Sequence, residues 1–320
     1  MATPTPFHRE SILLFGDSIT ELSVEPSGGF SSSLAYAYRR KADVITRGFS
    51  GYNTRHASAI APLIFAPSVA QSNKRHLFST IFFGANDSST IEPFKISSAL
   101  EHEKPSQHVS IDEFEQNTVE VIRIALQATR TDGCVIVISP PPVNQVKWPD
   151  RGNKAVAAYT DAVARAVQTV NTTRPATTTS EAKVVHLNLF KAMYTGSTEI
   201  IESTEITSPY EHYLSDGLHL SPEGNKVVAD LLLSVVREHA PLVAPESLPL
   251  DLPLWMDATL QARVTPSFSR EEAKVAYVNL VFNEKSLEKV KSEPKALPPR
   301  PLLPPGLASI ELKAAKSALQ

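Results

Sequence analysis

Five short apolar runs, separated by stretches of helical pattern, recur between residues 11 and 190 and leave few folds open to this chain. They occupy residues 12–15, 42–46, 80–83, 134–138 and 184–187. Each is rich in Val, Ile and Phe, the composition of strands buried on both faces of a parallel sheet. Strands alternating with helices join through right-handed crossovers into a doubly wound α/β sheet. Open sheets of that kind place their ligands beyond the carboxyl ends of the strands. The turns after the runs are therefore where chemistry is expected.

The helical stretches are written with unequal clarity. Residues 30–40 carry small and aromatic residues before a basic end, which suits a helix C-terminus. Residues 54–65 form a helix that Pro62 should kink or stop. Ser110-Ile111-Asp112-Glu113 has the pattern of a capping box and opens a helix to about residue 129. Its apolar stripe is Phe114, Val121, Ile124, Ala125 and Leu126. Residues 155–170 continue the alternation. Ser221-Pro222-Glu223 then sets a cap, a first-turn proline and an acid before a helix through residue 236. Two irregular spans interrupt the series, residues 88–109 and 195–213; the first follows a strand's carboxyl end and is expected to lie over the site.

Composition sets the outer limits. A chain of 320 residues buries one sizeable core with room for an appendage. The net charge of −3 gives no footing for nucleic acid or an anionic membrane surface. No run is long enough to span a membrane and no leader precedes the first strand, so the chain reads as soluble and cytoplasmic. The single cysteine, Cys134, lies in the fourth run as a core residue. No Cys and His cluster has zinc spacing, and neither metal nor cofactor is expected.

Beyond residue 240 the character changes. Residues 241–320 hold 11 of the 25 prolines but a single glycine, Gly306, which does not continue a sheet. The chain accordingly divides into a domain of residues 1–245 and a proline-rich extension of residues 246–320. Leu252-Pro253-Leu254-Trp255 is expected to pack its apolar side chains back on the domain. Ser269-Arg270-Glu271-Glu272 opens an expected helix over about residues 270–290, and residues 297–305 read as an extended linker. The extension offers a segment for a protein partner.

The first run ends in Gly16-Asp17-Ser18. Gly16 permits a sharp exit, and a serine at the strand's carboxyl end can be reached by a base from elsewhere in the chain. The same residues also serve as an ordinary turn in which Ser18 or Thr20 caps the next helix. To attack an ester, a serine hydroxyl needs a neutral imidazole that takes its proton, and the imidazole needs a carboxylate that fixes its tautomer. Asp216 and His219, with Gly217 between them, can meet in one local turn. They can equally be a turn before the helix and a packed neighbour. Donors for an oxyanion can come from residues 47–54, where glycine lets a backbone N–H approach closely, and from residues 83–87, where the Asn86 amide can donate. Both loops also read as common turns, Asn86-Asp87 as an Asx-turn. Order and place favour chemistry, because Ser, Gly, Asn and Asp-x-x-His each follow an element ending on one rim.

Together these blocks resemble the SGNH, or GDSL, hydrolase family. Gly16-Asp17-Ser18 is similar to its nucleophile block, Gly51 to its glycine block, Gly84-x-Asn86-Asp87 to its asparagine block and Asp216-x-x-His219 to its acid–base block. The wider strings LLFGDSIT, RGFSGYNTR, FFGAND and SDGLHLSPEG resemble the isoamyl acetate-hydrolysing esterase branch. The resemblance covers residues 11 to about 240 and departs beyond about 260. It implies a flavodoxin-like three-layer α/β/α fold with a five-stranded parallel sheet in the order 2-1-3-4-5. It further implies Ser18 as nucleophile, His219 as base and Asp216 as its orienting acid. The oxyanion would face the N–H of Ser18, the N–H of Gly51 and the Asn86 amide. No Gly-x-Ser-x-Gly elbow, Walker A loop or Gly-x-Gly-x-x-Gly is present to compete. The activity expected is a serine esterase that hydrolyses small carboxylic esters through an acyl-enzyme. A thioesterase or O-deacetylase of the same fold is the alternative within the class, and a non-catalytic interaction protein the alternative outside it.

Overall fold

The computed structural model describes residues 9–66, 76–90, 106–174, 182–194 and 210–257. Five parallel strands, β1 (Glu10–Gly16), β2 (Ala42–Gly48), β3 (His76–Phe82), β4 (Thr129–Ile138) and β5 (Lys183–Leu187), form one sheet in the order β2-β1-β3-β4-β5. Around it stand α1 (Ser18–Glu21), α2 (Phe30–Ala37), α3 (Thr54–Ile64), α4 (Ile111–Ala128), α5 (Asn153–Thr173), α6 (Leu189–Met193) and α7 (Pro222–His239).

The pleat sorts each strand's side chains into two cores. Ile12 and Leu14 of β1, Phe78 and Phe82 of β3, and Cys134, Ile136 and Ile138 of β4 pack on the side of α2, α6 and α7. Leu13 and Phe15, Ile81, and Val135 and Val137 face α3, α4 and α5 on the other. That is the three-layer α/β/α sandwich implied by the resemblance. Phe15 meets Phe83, Phe65 and Phe49 edge-on, with centroids 4.9, 5.7 and 6.3 Å away. Such pairs add about 0.5–1.5 kcal/mol each beyond the area they bury, so the residue just before Gly16-Asp17-Ser18 is firmly seated. Because β1 lies between β2 and β3, the chain reverses direction across the sheet there, and the crevice opens at the carboxyl ends of these strands.

Several local expectations are corrected. β2 and β5 are edge strands rather than strands buried on both faces, and β2 turns Asp43 and Arg47 to solvent, charges that discourage edge-to-edge pairing. Helix α3 runs past Pro62 to Ile64; the proline removes one backbone donor, and only two residues of helix lie beyond it to be kinked. Helix α2 stops at Ala37, and Arg40 adopts a positive φ of 59° in the turn beyond. Ser110 caps α4, but Glu113 turns away from it to Arg55, so only half of that capping box forms. The full box lies at Asn53 and His56, where a histidine in the third position obscures the pattern.

Residues 251–253 return to the domain through polar contacts rather than apolar packing. Arg9 donates to Asp251 at 2.8 Å from Nε, and Arg40 Nη2 donates to the carbonyls of Leu252 and Pro253 at 2.7 and 3.0 Å. Leu254 and Trp255 point outward, the indole 74% exposed. Pro140, Pro141, Pro142 and Val143 after β4 pack inward, with Pro140 against Gly84. The core of the 88–109 loop (residues 91–105), most of the 195–213 span and everything after residue 257, including the expected helix at 270–290 and the linker at 297–305, lie outside the described residues.

Candidate active site

The strand β1 delivers Ser18 to the crevice as the first residue of α1. Gly16 acts by close approach rather than by an unusual φ: a Cβ there would stand 2.0 Å from Thr20 Oγ1 and 2.7 Å from the Phe82 carbonyl. Asp17 precedes the helix as its N-cap, accepting from the Ile19 N–H at 2.9 Å. As a first-turn residue, Ser18 has no intrahelical acceptor for its own N–H, which leaves that donor for a ligand.

The Ser18 hydroxyl lies 2.9 Å from His219 Nε2, although the two residues are 201 positions apart in sequence. His219 Nδ1 lies 2.7 Å from Asp216 Oδ2. An ionised carboxylate can only accept, so Nδ1 carries the proton and Nε2 is left to accept from Ser18. Burial acts to raise the Asp216 pKa, but the imidazole and the His219 and Leu218 N–H groups together hold it below the ordinary carboxylate range. The line Ser18–His219–Asp216 is thus ready to carry a proton off the serine.

The turn that presents the histidine closes on itself. Leu214 and Leu220 form an isolated antiparallel bridge, Ser215 N–H reaches the His219 carbonyl at 2.8 Å, and Asp216 Oδ1 accepts the His219 N–H at 2.8 Å. Gly217 adopts φ +94°, which a side chain would resist, and a Cβ there would crowd Asn144 and Lys147 at 3.0 Å. The turn rests on the β4–α5 loop. Asn144 N–H donates to the Gly217 carbonyl at 2.8 Å, and Trp148 Nε1 donates to the Asp216 carbonyl at 3.2 Å. Trp148 also stands edge-on to the His219 ring at 6.4 Å.

The two donor loops are stitched to β1 and to each other. Phe49 N–H reaches the Gly16 carbonyl at 3.0 Å, and Asn86 Nδ2 donates to the Tyr52 carbonyl at 2.9 Å. Asp87 accepts the Thr54 N–H at 2.9 Å and the Thr54 hydroxyl at 2.5 Å, fastening the start of α3 beneath. Asp17 and Asp87 are fully buried, and the Oδ2 atom of each has no hydrogen-bond partner among the described residues. Burial pushes their pKa values up to about 7 and about 6, hydrogen bonds opposing, and the nearby Asp87 charge adds to the rise at Asp17.

All five residues singled out in the sequence therefore sit on this rim: Ser18, Asp216 and His219 in one hydrogen-bonded line, Gly51 and Asn86 on the loops stitched beside it. His56 and His212, the other histidines near these blocks, are engaged elsewhere, His56 with Asn53 and His212 against the Tyr213 ring. Four residues escaped the sequence reading: Asn144, Trp148, Gln107 and Arg151. Asn144 follows the buried proline run and carried the best signal, an amide at a strand-end loop.

Comparison with known proteins identifies the family. A family model described as GDSL-like lipase/acylhydrolase matches residues 12–232. The chain is 33% identical over 267 residues to the isoamyl acetate-hydrolyzing esterase 1 homolog of Bos taurus, covering 80% of this chain and 91% of that one. It is 34% identical to a GDSL esterase/lipase of Arabidopsis thaliana, covering 77% and 92% of the two chains. Against the isoamyl acetate-hydrolyzing esterase of Saccharomyces cerevisiae the identity is 28%, covering 78% and 94%.

Proposed function

The chain belongs to the GDSL-like lipase/acylhydrolase family and is a carboxylic ester hydrolase, and from that premise we propose how its residues divide the work. Ser18 Oγ gives its proton to His219 Nε2 and attacks the ester carbonyl carbon. The negative charge that gathers on the carbonyl oxygen faces the Ser18 N–H, the Gly51 N–H and the Asn86 amide. His219 then passes the proton to the departing alcohol, leaving the acyl group on Ser18. Water enters, gives a proton to His219 and attacks the acyl carbon; the bond to Ser18 Oγ then breaks, His219 returns its proton to the serine and the acid is released. Asp216 keeps its negative charge throughout and stabilises the imidazolium. The observation that carries this reading is the continuous line from Ser18 through His219 to Asp216, at 2.9 and 2.7 Å.

The substrates are small carboxylic esters, and short acyl esters of small alcohols, isoamyl acetate among them, are the class we propose. Two relatives carry that substrate in their names. No helix among the described residues is long and apolar enough to cross a membrane; action in the cytoplasm on a dissolved ester is part of the proposal. So is the division into a hydrolase domain of residues 1–245 and an extension of residues 246–320 that serves a protein partner. The test is steady-state hydrolysis of isoamyl acetate and of p-nitrophenyl acetate, butyrate and decanoate by the full chain and by Ser18→Ala. Acetate and butyrate should show the highest kcat/KM, and Ser18→Ala should abolish turnover of all. A rate rising through the decanoate would overturn the short-acyl reading. Turnover surviving in Ser18→Ala would overturn the nucleophile.

A further inference from the structure

Arg151 is a buried charge that the mechanism above does not use; its side chain is 3% exposed. A guanidinium so enclosed is tolerated only when its N–H groups are paired. Nε donates to the Ala85 carbonyl at 3.0 Å and Nη1 to Asp150 at 2.5 Å. Nη2 forks, reaching Asn86 Oδ1 at 3.2 Å and Gln107 Oε1 at 3.0 Å. The fork settles the orientation of both amides. A guanidinium has donors and no acceptor, so each amide must turn its oxygen toward Arg151 and its NH2 away. Asn86 Nδ2 then points at the Tyr52 carbonyl, 2.9 Å distant, and spends one N–H there, leaving the second for a ligand. Gln107 Nε2 points at the Gly51 carbonyl, also 2.9 Å distant.

We infer that Arg151 and Gln107 form one positioning unit for the oxyanion donors, Arg151 fixing the Asn86 amide and Gln107 carrying the same anchor to Gly51. The inference rests on the reading of Asn86 and Gly51 as those donors. Without the guanidinium, the Asn86 carboxamide is held by the Tyr52 carbonyl alone and can swing its free N–H away from the developing negative charge. Without Gln107, Gly51 at φ +79° loses the contact that holds its carbonyl. Neither residue touches the reacting atoms, so both act on the turnover step rather than on substrate capture.

The experiment compares kcat and KM for p-nitrophenyl acetate, with melting temperatures, in full-length Asn86→Ala, Arg151→Lys, Gln107→Leu, the Asn86→Ala/Gln107→Leu double variant and the triple variant that adds Arg151→Lys. Lysine keeps the charge but lacks the planar guanidinium that reaches Ala85, Asp150 and the two amides together. Asn86→Ala should lower kcat by roughly 10²–10³-fold. Arg151→Lys should lower it by about 10–10²-fold and Gln107→Leu by about 10-fold, with KM within about twofold throughout. In the double background, adding Arg151→Lys should change kcat by less than about twofold, because both groups it positions are gone. An equal loss in wild-type and double backgrounds, or wild-type kcat in Arg151→Lys and Gln107→Leu while Asn86→Ala is impaired, would overturn the positioning unit and leave the donor reading standing. Wild-type kcat in Asn86→Ala would sink the donor reading and this inference with it. Should Arg151→Lys not fold, Gln107→Leu decides, since it leaves the guanidinium in place: a kcat-only loss supports the unit and an unchanged kcat overturns it.

Discussion

The two halves of the site are built by opposite means. The half proposed to hold the nucleophile, at the ends of β1, β2 and β3, is cut from the core: Asp17, Thr20 and Asp87 are fully buried and Asn86 is 4% exposed. Its geometry is inherited from strand register and from the helices that start there. The half proposed to supply the acid and base is a short turn near the surface, with the Asp216 side chain 48% exposed. It is held by its own hydrogen bonds and by a few contacts to the β4–α5 loop. A buried half ties rate to stability, whereas a clipped-on half leaves them separable.

The sharpest way to break this comparison is at His219. His219→Ala should reduce kcat/KM by about 10⁴-fold or more while moving the melting temperature by no more than about 2 °C. Asp216→Asn should follow with a rate loss of about 10⁴-fold, smaller than that of His219→Ala, and a similarly small thermal shift. Calorimetry showing a large drop in stability for either variant would mean the turn is part of the fold's framework. Activity retained in His219→Ala would instead redirect attention to His56 or His212.

On the buried side the balance should invert. Asp87→Ala strips the acceptor from the Thr54 N–H and hydroxyl, both buried, at a cost of about 2–4 kcal/mol in denaturant unfolding. Asp87→Asn keeps an acceptor oxygen and should retain most of that stability. The rate per folded molecule should fall less in Asp87→Ala than in Asn86→Ala. A stable but inactive Asp87→Ala protein would erase the distinction between the halves.

The smallest effect concerns pH. The Asp17 pKa stands at about 7 in the fold against an ordinary value of 3.8, because its burial disfavours the charge. Between these values the folded chain holds a proton that the unfolded chain has released. The contribution of this group is thus fully present below about pH 4 and lost as pH rises toward about 7. Asp87 adds the same sign over a narrower range, up to about 6. Asp17→Asn keeps the acceptor for the Ile19 N–H and removes the titration, so the change in melting temperature between about pH 5 and about pH 8 should shrink. Identical changes in variant and parent would assign the pH response elsewhere.

The parts of this molecule that could be read in the sequence are those whose cause is local. The buried strands are short runs of Val, Ile and Phe, and the nucleophile and acid–base blocks keep their chemistry within three or four residues, so both are legible. Helix ends were less so, because Glu113 chooses Arg55, 58 residues away, over its own cap. Arg151 was opaque. Its burial depends on Ala85, Asn86 and Gln107, partners 44–66 residues distant that only the fold brings near.

The long sequence interval between Ser18 and His219 bears on when the enzyme becomes active. Chains emerge amino end first as they are synthesised. The serine and the loops beside it therefore emerge first, and the histidine follows 201 residues later. Helix α7 must also dock, for Asn225 accepts the N–H of Phe30 at the start of α2 and carries the preceding turn into place. On the proposed mechanism the serine hydroxyl until then has no base and is too weak to attack an ester. On the proposed roles, a nascent chain or a fragment ending before residue 214 carries the serine without its base, so hydrolytic power arrives only once residues 216–219 are made and α7 has docked.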